Sequence, residues 1–108
     1  MKKLLDPLHD LGRFSEPALL ILISLADSPK HGYAMTQDIE EVSGQRLGPG
    51  TLYGAIARLE ARKWIEPLPA EDRRRPYRLT GAGQKVLRAR LDSLRAVAKI
   101  GHARLVEN

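Results

Sequence analysis

The chain has 108 residues, 43% of them apolar and 29% charged, with eighteen Lys and Arg against thirteen Asp and Glu for a formal charge of +5. That length suits one domain with a modest core, and the composition excludes a disordered or low-complexity chain. The absence of cysteine excludes disulfides and thiolate metal sites, and a pI near 9.9 is a mild pointer to a polyanionic partner.

Residues 1–14 place Leu4, Leu8, Leu11 and Phe14 on a loose helical stripe, with Asp6 and Pro7 arranged as an N-cap and a first-turn proline. "MKKLL" begins like a signal peptide, but Asp6 and Pro7 interrupt it before an apolar region forms. Ser15 is positioned to cap a second helix whose stretch from Ala18 to Ala26 is apolar nearly all round, as the most buried helix of a small bundle would be. This run is also the longest apolar one and is far short of the roughly 18 residues that a membrane span needs, so a soluble, cytoplasmic protein is expected.

"DSPKHG" breaks the chain and leaves Lys30 and His31 as expected solvent-exposed residues at a helix start. Met35, Ile39 and Val42 then mark a helix over about 31–43, and "SGQRLG" turns into another over about 49–62 with Leu52, Ala55, Ile56 and Leu59 inward. Two helices separated by a few residues containing Gly44 and Gly48 have the spacing of a helix-turn-helix.

After Lys63, "WIEPL" and "PYRLT" alternate apolar and polar residues on either side of "PAEDRRR", which reads as a β-hairpin. Pro67, Pro69 and Pro76 confine it to a small ribbon. Thr80 is placed to cap a last helix from 81 to about 106, in which Leu87, Leu91, Leu94, Ala98, Gly101 and Leu105 keep the heptad rhythm of a coiled-coil seam. Val86, Val97 and Ile100 widen the stripe. The predicted fold is therefore mostly α with a small β-hairpin: a winged helix-turn-helix plus a long C-terminal dimerisation helix. It divides into an N-terminal helical arm (1–14), a winged helix-turn-helix (15–80) and the C-terminal helix (81–108). The Leu4–Leu8–Leu11 stripe is expected to pack against that helix, with Leu87, Leu91, Leu94, Ala98 and Leu105 forming the seam.

The helix at 49–62 has an unusual outer face. Gly50, Tyr53, Gly54, Ala57 and Ala61 occupy it, with Thr51, Arg58 and Arg62 along one flank. Each glycine costs roughly 1 kcal/mol against alanine, so close approach to another surface is the natural reason for them. A DNA groove and a protein partner both meet that requirement. Arg73, Arg74 and Arg75 shift the balance to DNA, because a wing one ribbon away from a recognition helix reaches the neighbouring backbone or minor groove. Standing alone, an arginine triplet is more commonly a solvated charge run. Tyr33 is either a phosphate contact or a structural flank residue. Trp64 reads as core, with ligand stacking at a dimer surface as the other option.

No catalytic signature is present. "GPGTLYG" misses the dinucleotide pattern, there is no Walker sequence, and His9, His31 and His102 lack metal-ligand spacing. Neither an enzyme, a metal site nor a cofactor is expected.

"HGYAMTQDIEE", "GPGTLYGAIARLEARKWIEPL" and "RPYRLTGAGQKVL" together resemble the signature segments of the PadR family of bacterial transcriptional regulators, over about residues 17–90. The resemblance implies a homodimeric winged helix-turn-helix repressor that binds a pseudo-palindromic operator in double-stranded DNA and answers to a small-molecule effector. One helix after the wing is similar to the short subfamily. Carried over by position, Gly50, Thr51 and Tyr53 face DNA with Tyr33 in support; Arg58, Arg73, Arg74 and Arg75 are the expected phosphate anchors. Three positions depart from the family pattern: Gly48 stands where Ser or Thr is usual, Gly54 where proline is common, and Lys63 at a helix end where a glycine with positive φ is expected. A winged-helix protein-interaction adaptor is the alternative function.

Overall fold

The deepest helix is the one whose residues are apolar all round. In a computed structural model describing residues 7–106, it is α1 (Ser15–Asp27), and Ala18, Ile21 and Leu22 in it are fully buried. A 3-10 turn (His9–Phe14) precedes it, and α2 (Gly32–Ser43), α3 (Pro49–Ala61), β1 (Ile65–Pro67), β2 (Tyr77–Leu79) and α4 (Gly81–Val106) follow. α1 packs on α2, α3, the ribbon and the start of α4, so one core joins Met35, Ile39, Leu52, Ile56, Leu59, Trp64, Ile65 and Leu87 around it. The order and the ribbon make this a winged helix-turn-helix. Trp64 belongs to the core, with the Arg62 guanidinium 5.6 Å from its ring centroid.

The N-terminal segment differs from the capped helix expected of it. Gly12 (φ 58°, ψ −125°) takes a conformation open essentially to glycine alone and breaks the helical path. Ser15 is consequently the first residue of α1 and makes no capping bond, while Asp6 lies outside the described residues. The break folds Leu8 and Leu11 into the chain's own core, against α1 and α3. Both side chains are thus buried within the subunit, and Leu4, the third residue of the expected stripe, lies outside the described residues.

Lys30 is also not the solvated residue expected. Its Nζ donates to the Ser24 carbonyl at 2.6 Å and pairs with Asp27 at 3.3 Å, closing the free carbonyl end of α1. Its backbone N–H and C=O exchange bonds of 3.1 and 2.9 Å with Tyr77, which ties β2 to the α1–α2 connection.

α3 ends in a Schellman motif. The Trp64 N–H reaches the Leu59 carbonyl at 3.1 Å and the Lys63 N–H the Glu60 carbonyl at 2.9 Å, with Lys63 at φ 62° as its position required. A β-carbon in this region costs roughly 1 kcal/mol, so Lys63→Gly is expected to stabilise the protein by about that amount. Calorimetry should record a midpoint raised by about 5 °C; an unchanged midpoint would mean that the lysine side chain compensates.

The ribbon is short and antiparallel, with Ile65 opposite Leu79, Glu66 opposite Arg78 and Pro67 opposite Tyr77; Glu66 and Arg78 form an ion pair across it. Beyond it, Glu71 and Arg74 exchange two 2.8 Å backbone bonds around a two-residue turn at Asp72 and Arg73, both with positive φ (49° and 68°). That is the geometry of a type I′ turn, usually built from Asn and Gly. Thr80 caps α4 as expected: its Oγ1 accepts from the Gly83 N–H at 3.0 Å and donates to the Lys63 carbonyl at 2.7 Å. The chain measures 55 × 31 × 22 Å, extended because the 26 residues of α4 run about 39 Å and only its first turns are buried.

Candidate nucleic-acid interface

α3 enters through Gly48 and Pro49, so its first amides point outward with no side-chain cap on them. Its buried face is Leu52, Ala55, Ile56 and Leu59, as the periodicity requires. A β-carbon placed on Gly50 meets nothing within 4 Å. Among the described residues, no neighbour therefore explains that glycine.

Gly54 has a different explanation from the one its sequence position suggested. A β-carbon there would lie 2.7 Å from Cε1 of Phe14, so this glycine makes room for an aromatic ring of the same subunit. Arg58, one turn on, donates to the Gly54 carbonyl at 2.9 Å and lays its guanidinium 3.9 Å from the Phe14 ring centroid. The outer surface of α3 thus has two flanks, one facing Phe14 and the other facing the wing.

On the wing side the expected residues gather. Tyr33, Tyr53, Arg73, Arg74 and Arg75 line one cleft of about 340 Å3 together with His31 and Tyr77. Tyr33 and Tyr53 stand 57% and 54% exposed, a high value for aromatic residues and one that leaves their faces available. The Tyr53 hydroxyl lies directly against Gly32, where a β-carbon could not coexist with it, and the start of α2 thereby fixes the ring's direction. The Gln37 amide donates to the Tyr33 hydroxyl at 3.3 Å.

The three wing arginines take different roles. Arg73 alone occupies the tip turn, and among the described residues no hydrogen-bond or ion-pair partner engages it. Arg74 reaches back to His31, at 3.2 Å between Nη1 and Nε2. Arg75 donates to the Leu68 carbonyl at 2.7 Å and braces the base of the loop.

His31 joins the site although its sequence position suggested only a solvated residue. Its Nδ1 accepts from the Ala34 N–H at 3.4 Å as the N-cap of α2, while its Nε2 faces Arg74. A neutral imidazole has one unprotonated nitrogen, so the two donors compete for one lone pair. The signal available in the sequence was a capping-capable residue immediately before "GY"; its approach to the wing, forty-three residues away, was not legible.

Burial pushes the Tyr77 hydroxyl above its usual pKa near 10, with Glu60 adding to the shift and Arg75 opposing it. The neutral form is favoured in the fold, so its contribution to stability is full below pH 10 and falls as pH rises through the raised value. Tyr77 is therefore biased toward its neutral form where it lines the cleft beside the wing arginines.

Along α4, Leu87 belongs to the core and Leu91, Leu94, Ala98 and Leu105 are exposed. Val97 and Ile100 add to that uncovered apolar face. Among the described residues no helix is long and apolar enough to cross a membrane, and no cluster of His, Asp and Glu there could hold a metal.

Known proteins resemble this chain in sequence and fold. The chain is 50% identical over 82 residues to an uncharacterized 37.1 kDa protein in transposon TN4556 of Streptomyces fradiae; the match covers 76% of this chain but only 24% of that protein. It is 42% identical over 72 residues to transcriptional regulator Rv3488 of Mycobacterium tuberculosis, covering 64% of this chain and 66% of the relative. The crystal structure of a PadR family transcription regulator from Clostridium difficile R20291 superposes with a TM-score of 0.73 at 26% identity, covering 82% of this chain and 96% of that one. The Transcriptional regulator PadR-like family model matches residues 21–89, which span the helix-turn-helix, the ribbon and the start of α4. The chain belongs to the PadR-like family of transcriptional regulators.

Proposed function

We propose that this protein is a homodimeric, DNA-binding transcriptional repressor that reads a pseudo-palindromic operator. The observation that carries the reading is the convergence of Tyr33, Tyr53, Arg73 and Arg74 beside an α3 face whose Gly50 none of the described residues covers. α3 enters the major groove with Gly50, Thr51 and Tyr53 nearest the bases, while the wing at 69–76 lies along the adjacent backbone. Residues 15–80 act as the DNA-binding unit, and 81–108 pair two subunits through Leu91, Leu94, Ala98 and Leu105, whose exposure supports that use. Leu87 supports the seam from within the core. A small-molecule effector acting through the paired C-terminal helices completes the proposal.

Selection of bound fragments from a random genomic library tests this. A palindrome with half-sites about one helical turn apart is the expected product; no enrichment at low salt would support the adaptor function instead.

The wing carries a second, quantitative expectation. Arg73→Ala combined with Arg74→Ala is expected to lower the slope of log K against log salt by about 0.9 for each phosphate no longer neutralised. Both slope and affinity measured by fluorescence anisotropy report on it; unchanged values would remove the wing from the interface.

A further inference from the structure

The flank of α3 that faces away from the wing carries a second cationic cluster. Phe14, where the 3-10 turn meets α1, presents its ring to two guanidinium groups: that of Arg58 lies 3.9 Å and that of Arg13 4.8 Å from its centroid. Three features build the arrangement. Gly12, in its glycine-only conformation, turns the chain just ahead of Arg13. Gly54 lets the ring approach α3 more closely than any side chain would allow. The Gly54 carbonyl then holds Arg58 Nη1 at 2.9 Å.

Two cations held on one ring repel each other. Ring faces attract each of them, but an interaction of this kind does not cancel charge. Among the described residues, no carboxylate lies within ion-pair distance of either arginine; the ion pairs formed there involve Lys30, Arg46 and Arg78. The Gly54 carbonyl fixes the direction of Arg58, Arg13 lies over the same ring, and guanidinium groups that lack a counter-charge suit phosphate oxygens, which accept their paired N–H groups. Thr51 lies on the same flank of α3, about two turns before Arg58. The cluster therefore sits beside the helix face assigned above to the groove.

We propose that Arg13 and Arg58, mounted on Phe14, form a phosphodiester clamp that grips the DNA strand on the side of α3 opposite the wing. It rests on the DNA-binding function proposed above and extends it: α3 is held from both flanks, and the segment before α1 becomes part of the DNA interface. An interaction with the backbone alone carries no sequence information, so its effect is the same on operator and unrelated duplex.

Salt titrations of the full chain on an operator recovered by the selection above test the clamp, using Arg13→Ala and Arg13→Lys. The alanine variant is expected to lose about 0.9 from the salt slope per phosphate released. It should weaken binding to operator and to random duplex by the same factor, with thermal midpoint and sedimentation unchanged. The lysine variant should recover the slope but only part of the affinity, because an ammonium lacks the planar fork. An unchanged slope for Arg13→Ala overturns the clamp while leaving the DNA-binding function standing. Dissociation of subunits without a change in slope also overturns it, by assigning Arg13 to a subunit interface. Failure of the wild-type protein to bind any duplex overturns both.

Discussion

Gly83→Ala is expected to lower the thermal midpoint by about 10 °C or more. Gly83 lies in the first turn of α4, buried against Trp64, which leads into β1, and Leu79 of β2. A β-carbon there would fall on the Trp64 carbonyl oxygen and within 2.9 Å of both the Trp64 carbonyl carbon and Leu79 Cδ1. Leu79 could rotate away, but the carbonyl cannot. It accepts the Thr80 N–H at 3.0 Å, and the Trp64 N–H is itself fixed to Leu59 at 3.1 Å. Relief would need α4 to move off the ribbon, breaking the Thr80 cap as it goes. Overpacking of this kind costs about 3 kcal/mol, which at 4–8 °C per kcal/mol for a chain near this size gives the stated shift. A calorimetric midpoint equal to the wild type would show that α4 has freedom that the close approach denies. The same packing sets the direction in which α4 leaves the body, and in the dimer proposed above that direction would set the separation of the two α3 helices.

Helical periodicity made most of the fold legible. Met35, Ile39, Leu52, Ile56 and Leu59 gave α2 and α3 their inner faces, and the change to alternating residues after Lys63 marked the ribbon. Thr80 as a cap followed from local chemistry, and the positive φ at Lys63 from the family pattern that the sequence resembles. Periodicity says that a face is covered, however, and not what covers it. Leu8 and Leu11 shared a stripe fit for another helix, yet Gly12 redirects them into the subunit's own core. Leu87 sits on the heptad seam with Leu91 but belongs to the core, because α4 still rests on the body at that turn. Gly54 and Gly50 looked equivalent on the outer face. One meets Phe14 from forty residues earlier in the chain and the other meets nothing. His31 and Arg74 likewise became neighbours only through the fold.

That contrast between two glycines supplies the second large effect. Gly50→Leu places a bulky side chain on a part of α3 that is open in the subunit. Gly50 has no positive φ, and leucine is a better helix residue by up to about 1 kcal/mol, so the fold is expected to be retained or slightly stabilised. The recognition face, by contrast, would lose its close approach to the base edges. Tyr53 and the outward amides at the start of α3 would be held away from the groove together, because the helix moves as one body. Operator affinity is expected to fall to the level of non-specific binding, typically a factor of about 1,000 or more.

The most direct test is therefore anisotropy titration of the Gly50→Leu protein against its selected operator, with calorimetry on the same sample. A midpoint at or above that of the wild type with specific binding abolished is the predicted result. Operator binding at wild-type strength by the folded variant would contradict the assignment of this α3 face to the DNA groove.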